Sequence, residues 1–219
     1  MDKKTVLVMS GGLDSTTLLY KLLQEGKQVQ AISFNYGQRH SKDLDIAKKT
    51  CDKLNVPHKV IDISFIKELI SKSSLTSDDI AVPDGHYSHE TMKITVVPNR
   101  NMIMASIAIG YAVNLDYDEV ALGVHAGDHT IYPDCRPEFI EALRKIAAIS
   151  NFKPIEIYTP FLNISKTDVV TLGNMLGVDY SLSWTCYKGL EKPCGKCGSC
   201  TERAESFDLN KLIDPLLCV

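Results

Sequence analysis

The chain has 219 residues, with 24 basic and 27 acidic side chains, a net charge of −3 and 44% hydrophobic residues. That length suits one domain, or one domain with a small appendage, and suffices to bury a real core. The near-neutral balance supplies no overall basic field for gripping a long nucleic acid, so a small-molecule substrate is expected and direct nucleic-acid contact is not.

Met1-Asp2-Lys3-Lys4 runs straight into Thr5-Val6-Leu7-Val8-Met9. This apolar run is too short for a signal peptide and lacks a small-residue cleavage site. No window approaches the roughly 18 apolar residues of a membrane span. A cytoplasmic protein is expected, in which the seven cysteines point to thiol or metal chemistry before disulfides.

Residues 6–9 are rich in β-formers and end at a Gly pair, which predicts a first strand. A helix follows over 14–24, with Leu18, Leu19, Leu22 and Leu23 on one side and Gly26 as its stop. Residues 29–34 predict a strand, 42–54 a helix with Leu44, Ala47 and Leu54 inward, and 58–63 a third strand. This alternation implies parallel pairing through right-handed crossovers. The stretch 71–96 is polar, with Ser-, Asp- and Gly/His-rich portions, and is expected to be functional or mobile rather than core. An apolar helix is predicted over 101–113, a strand over 119–123, a helix over 137–149 and a strand over 155–158. A last helix is predicted over 165–176, where Ser165 and Asp168 stand at capping-box spacing before Gly177. Beyond Leu182 the chain turns cysteine- and glycine-rich and loses apolar periodicity. The expected fold is therefore α/β: a doubly wound, mainly parallel five-stranded sheet over residues 1–182, with a small metal-binding subdomain over 183–219.

Ser10-Gly11-Gly12-Leu13-Asp14-Ser15-Thr16 joins the first strand to the first helix. Glycines there let the backbone approach an anion, and the helix N-terminus adds unpaired N–H groups and a positive dipole. Ser10, Ser15 and Thr16 add hydroxyl donors. The loop is neither G-x-G-x-x-G nor Walker A, which requires Gly-Lys-Ser/Thr. Asp14 would repel a phosphate unless a cation bridged the two, and Mg²⁺ is the natural candidate. The bland alternative is a tight βα turn with an Asp or Ser cap.

Cys186, Cys194, Cys197 and Cys200 are spaced Cys-x₇-Cys-x-x-Cys-x-x-Cys. Four thiolates close a tetrahedral shell, so the metal would be structural. Zn²⁺ is preferred to an iron–sulfur cluster, because glycine turns flank the site and no Cys-Pro follows. Cys51 and Cys218 are expected to be ordinary thiols, whereas Cys135, in Tyr132-Pro133-Asp134-Cys135-Arg136, is a candidate nucleophile without an identifiable base. Arg100 beside a helix N-terminus favours phosphate or carboxylate, against the plain reading of Asn99 or Asn101 as a cap. Gly123-Val124-His125-Ala126-Gly127-Asp128 follows a strand, where parallel sheets place ligands. Lys166 opposes the dipole in its helix's first turn and suggests a phosphate partner, the alternative being a solvated lysine.

The Ser-Gly-Gly-x-Asp-Ser hexad resembles the signature of the PP-loop, or N-type ATP pyrophosphatase, superfamily. Members cleave ATP between the α and β phosphates and pass AMP to a carboxylate, amide or carbonyl-like oxygen. The resemblance implies that Ser10, Gly11, Gly12, Asp14, Ser15 and Thr16 hold ATP and its Mg²⁺. Further matching stretches are Phe34-Asn35-Tyr36-Gly37-Gln38-Arg39-His40, Val97-Pro98-Asn99-Arg100-Asn101, Tyr132 to Arg136 with Glu138-Phe139, Thr159-Pro160, Lys166 and the four cysteines. They run in order over nearly the whole chain and resemble the QueC (ExsB) family. Asn99 stands where that family implies a small residue, usually Gly, which leaves the backbone of that turn in question.

The resemblance implies a C–N ligase that turns 7-carboxy-7-deazaguanine and ammonia into 7-cyano-7-deazaguanine, in queuosine-type 7-deazaguanine biosynthesis. The acid attacks the α-phosphate of ATP, ammonia displaces AMP to give the amide, and a second ATP activates the amide so that loss of AMP leaves the nitrile. It also implies a homodimer with one structural Zn²⁺ per chain. Asp14, Lys166 and Arg100 are then the catalytic candidates, and Arg100, Asp134 and Arg136 the substrate contacts. One competing reading is a PP-loop tRNA-modifying sulfur transferase with an iron–sulfur cluster and Cys135 as sulfur carrier. It calls for an RNA-binding appendage or basic face, neither evident here. Another is a metal-knuckle binding module on an inactive scaffold, against which the complete loop with Asp14 weighs.

Overall fold

The computed structural model describes residues 3–86 and 90–217; Cys218 lies outside them. Among the described residues five strands form one sheet: β1 (Lys4–Val8), β2 (Gln28–Asn35), β3 (His58–Asp62), β4 (Glu119–Ala121) and β5 (Glu156–Tyr158). All neighbours are parallel, in the order β3-β2-β1-β4-β5. β1 is central because both its faces are apolar: Val6 joins the core on one side of the sheet and Leu7 the core on the other.

Helices cover both faces. α1 (Leu13–Gln24), α2 (Lys42–Lys53) and α5 (Lys166–Met175) bury Leu18, Leu22, Ala47, Cys51, Val169 and Val170 against one face. α3 (Arg100–Asn114) and α4 (Pro137–Ile149) bury Ala105, Ala108, Ala112, Ile140 and Leu143 against the other. The doubly wound expectation and the capping box of Ser165 with Asp168 are both present. Asn99 adopts φ 56°, the left-handed conformation that asparagine tolerates best after glycine, so the turn keeps its glycine-like backbone.

Two segments differ from expectation. The polar stretch 71–96 is largely structural: Ser73, Ser74, Leu75, Thr76, Met92 and Thr95 are buried. Its hydroxyls pair with its own backbone, as when Thr76 donates to the Ile70 carbonyl and Thr95 to that of Met92, and Arg39 binds the carbonyls of Ser74, Ser77 and Ile80. Burial without apolar periodicity is possible because these polar groups, the Ser74 hydroxyl excepted, are satisfied locally. The second difference is α6 (Gly198–Leu209), absent from the sequence reading. Its buried face consists of Gly198, Ser199, Cys200, Arg203, Ser206 and Phe207. Arg203 anchors it with two hydrogen bonds to the Asp214 carboxylate, at 2.6 and 2.8 Å, and others to Ser183 and Tyr180. Trp184, Cys186 and Cys197 join one core and Phe207 the other, so the residues after 182 pack directly on the sheet domain.

Candidate active site

In a parallel sheet a crevice opens where neighbouring strands send their connections to opposite faces. Here that point lies between β1 and β4: α1 leaves β1 on one side, and β4 leads to α4 on the other. The loop at residues 10–12 and Gly123-Val124-His125 flank it. A cavity of about 270 Å³ occupies the carboxyl ends of the strands, and Ser10, Gly12, Asp14, Ser15, Arg100, Asn101 and Lys166 line it. Sequence positions as far apart as Val8 and Ser199 thus converge, but not every predicted residue does.

Gly11 adopts φ +76°, and a Cβ there would lie 2.1 Å from the Asp43 carbonyl oxygen. It is therefore required for the loop to seat on α2 and does not itself line the cavity. Ser10 and Ser15 hydroxyls meet at 3.0 Å, and the Ser10 N–H donates to the Ser15 hydroxyl at 3.2 Å. Thr16 is fully buried beneath the loop and its hydroxyl lacks a hydrogen-bond partner; its side chain does not reach the cavity.

Lys166 is 7% exposed, with Nζ 3.1 Å from Asp14 Oδ2 and 3.0 Å from Glu202 Oε2. Burial opposes the charges on both Asp14 and Lys166. Lys166 and His125 nevertheless hold the Asp14 carboxyl below the usual carboxylate range, and Asp14, Glu202 and Asp128 hold Lys166 above the usual lysine range. His125 accepts the Gly127 N–H at Nδ1, so its neutral form carries the proton on Nε2. That nitrogen lies 3.5 Å from Asp128 and 3.8 Å from Asp14. Asp14 Oδ1 is buried without a hydrogen-bond partner. An orphaned carboxylate oxygen beside hydroxyls and a helix N-terminus fits a site for a hydrated hard cation carrying phosphate.

At the opposite wall, burial works against the charge of Arg100, but the neighbouring Tyr36 hydroxyl and the Asp134 carboxylate outweigh it. Asp134 accepts the Asn101 backbone N–H at 3.0 Å. It thereby caps α3 from 33 residues away, a role the sequence reading assigned to Asn99 or Asn101. Asp134 and Arg136 do not line the cavity; Arg136 is exposed and donates through Nε to the His129 carbonyl at 2.8 Å. Their expected substrate contacts find no support in these positions. Cys135 is buried and receives a hydrogen bond from Asn101 Nδ2, and burial together with Asp128 and Asp134 pushes its thiol up. A thiol so suppressed is a poor nucleophile.

Aromatic residues complete the enclosure, two of them, Trp184 and Tyr187, in no stretch that the sequence singles out. Trp184, Tyr187, Tyr36 and Tyr132 line the cavity. The Trp184 backbone N–H donates to the Gly11 carbonyl at 2.8 Å, so the segment leading into the cysteine cluster is hydrogen-bonded to the glycine loop itself. Tyr132 hydroxyl joins Thr95 at 2.7 Å and Tyr187 at 3.2 Å. No local periodicity announces a wall assembled from such distant segments.

The sulfurs of Cys186, Cys194, Cys197 and Cys200 lie within 4.8 Å of one another. A tetrahedral tetrathiolate zinc site places its sulfurs about 3.8 Å apart, close to the 3.9 Å between Cys194 and Cys200. Backbone N–H groups of Cys194, Lys196 and Cys197 point at these sulfurs at 3.3–3.4 Å, as in metal knuckles whose outer hydrogen bonds fix the ligands. The donor set fits a soft tetrahedral metal. Among the described residues no helix is long and apolar enough to cross a membrane.

A family model described as "Queuosine biosynthesis protein QueC" matches residues 4–211. The chain is 58% identical over 216 residues to 7-cyano-7-deazaguanine synthase of Pseudoalteromonas atlantica, covering 99% of each chain. It is 55% identical to the enzyme of that name from Pseudoalteromonas translucida, again over 99% of both. Among solved structures, NMN synthetase from Francisella tularensis superposes with a TM-score of 0.53 at 15% identity, covering 97% of this chain and 78% of that one. That last likeness concerns the fold alone.

Proposed function

Because the chain belongs to the QueC family, we infer that it is an ATP-dependent C–N ligase that makes 7-cyano-7-deazaguanine from 7-carboxy-7-deazaguanine and ammonia. The observation carrying this reading is the juxtaposition of the Ser10–Ser15 loop with Lys166 and the orphaned Asp14 oxygen at the sheet's switch point. The substrate acid attacks the α-phosphate of ATP, pyrophosphate leaves, and ammonia displaces AMP. The amide oxygen is then adenylated in turn, and elimination of AMP leaves the nitrile.

The chain's residues act by charge and placement. Ser10, Ser15 and the N–H groups around Gly12 hold the phosphates, and Lys166 offsets charge on the α-phosphate as it becomes five-coordinate. Mg²⁺, bound by Asp14, would neutralise the triphosphate. Arg100 orients the acceptor carboxylate from the opposite wall, and Trp184 and Tyr187 exclude water that would hydrolyse an acyl-adenylate. No covalent nucleophile is used, which accords with a Cys135 that is buried and hydrogen-bonded by Asn101. We assign Zn²⁺ to the four cysteines as structural metal, read residues 183–219 as its subdomain, and expect a cytoplasmic homodimer.

Incubation with 7-carboxy-7-deazaguanine, ammonium and Mg-ATP should yield the nitrile and two equivalents of AMP by mass spectrometry. ADP and phosphate in place of AMP would refute the adenylation chemistry.

A further inference from the structure

Lys166 is held by two carboxylates, of which one belongs to the ATP loop and the other to the metal-knuckle helix. Its ammonium stands 3.1 Å from Asp14 and 3.0 Å from Glu202, with side chains only 7%, 21% and 13% exposed in the order Lys166, Asp14, Glu202. Were Asp14 the sole partner, the two charges would neutralise each other and the aspartate would be committed to the lysine. A second carboxylate shares the ammonium and leaves the trio net negative, so that Asp14 can accept a divalent cation without stripping Lys166 of its counter-charge. Asp14 Oδ1, 3.8 Å from His125 Nε2, accepts no hydrogen bond and is the atom this arrangement leaves available, while Glu202 Oε2 meets Lys166 as an ion pair without a hydrogen bond.

Glu202 is carried to Lys166 by α6. It follows Cys200 by two residues on α6, whose N-terminal cap is Cys197. Its Oε1 lies so near Gly127 that a Cβ on that glycine would meet it at 2.7 Å. The knuckle therefore delivers this carboxylate to the site.

We propose that Glu202 is a positioning residue for adenylation, holding Lys166 so that Asp14 remains available to the cation of the bound nucleotide. The proposal rests on the adenylating reading given above. It is tested with E202Q, E202D and the double variant E202Q/K166Q in the full, metal-loaded chain. The measurements are the Mg²⁺ dependence of ATP binding, followed by Trp184 fluorescence, and kcat and KM for each substrate.

Partners of this kind typically change metal affinity or activity by about 10–100-fold. E202Q should raise the Mg²⁺ concentration needed for ATP binding about tenfold or more, leave the KM for the acid within about twofold and keep its zinc. E202D should recover part of the loss, and in a K166Q background E202Q should have no further effect. An unchanged Mg²⁺ requirement would overturn the proposal, as would an additional loss in the K166Q background. If E202Q loses its zinc or misfolds, E202D alone decides, and a wild-type Mg²⁺ requirement there with a melting loss equal to that of E202Q counts against positioning. Failure of the wild-type protein to make the nitrile would sink the functional reading instead, since the binding measurement needs no turnover.

Discussion

Gly11 and Gly12 are adjacent, yet the structure predicts opposite consequences for replacing them with alanine. At Gly11 the backbone is left-handed, φ +76°, and an added Cβ would sit 2.1 Å from the Asp43 carbonyl oxygen and 3.1 Å from the Ala47 nitrogen. The conformation costs alanine about 1–2 kcal/mol, and relieving the overlap with α2 about 1–3 kcal/mol more. Against a total stability of about 5–15 kcal/mol, that is a large share, and for a chain of this size it lowers Tm by roughly 5–20 °C. Gly12, by contrast, has φ −78° and ψ 171°, which alanine adopts freely. Its new methyl would meet only the Ser10 hydroxyl at 3.2 Å and the Trp184 carbonyl at 3.7 Å. It would, however, stand at the cavity where we propose that the loop's N–H groups meet phosphate. Losing one hydrogen bond to a charged acceptor costs about 1.5–3 kcal/mol, or roughly 10–100-fold in ATP affinity. Thermal melts and pyrophosphate release against ATP concentration separate the two variants. G11A melting like wild type, or G12A with an unchanged KM for ATP, would refute this account of the loop.

D14N should abolish turnover, and the gap in urea stability between wild type and D14N should be constant above about pH 5. Because the folded carboxyl titrates below its ordinary 3.8, the contribution of Asp14 is complete above that value and is lost as pH falls through the lower folded one; a gap that widens toward acid contradicts the pairing. The chain has a single tryptophan, and it lines the cavity, so ATP should change its fluorescence saturably, whereas an unaltered spectrum at saturating ATP would place the nucleotide elsewhere. Chelation should release about one zinc and no iron per chain, raise protease cleavage near Lys192, and weaken ATP binding through the Trp184–Gly11 hydrogen bond. R100Q should slow conversion of the acid more than conversion of the amide, since a charge-assisted hydrogen bond is about twice as strong as a neutral one; comparing kcat/KM for the two compounds checks this, and equal losses would remove Arg100 from the acceptor.

Much of the sheet domain is legible because its apolar residues repeat with the period of the element that buries them. Val6 and Leu7 face opposite cores, and Leu18, Leu19 and Leu22 form a single helical stripe. α6 escapes the same reading because its inward face is held by a guanidinium. Arg203 is 3% exposed and bound to the Asp214 carboxylate, and nothing in its neighbours marks it as buried. The stretch 71–96 escapes for a related reason: serine and threonine hydroxyls that bond their own backbone bury as readily as apolar side chains but leave a polar sequence.

The site divides along the same line. Contacts made within one short loop, such as Ser10 with Ser15, or by closely spaced cysteines, are written in local spacing. Contacts between distant segments are not: nothing in the local sequence tells that the Asp134 carboxylate caps α3, or that the Trp184 backbone N–H meets the Gly11 carbonyl. Glu202 is the extreme case. It stands in a run of Thr201-Glu202-Arg203-Ala204-Glu205 that looks like a solvated helix face. Only the fold reveals that one of its two glutamates turns inward to a lysine 36 residues earlier, while Glu205 stays on the surface. A charge on a helix has no local signature for the side it faces when the buried face is itself polar; the partner alone identifies it, and the partner here is the lysine we propose for the phosphate chemistry.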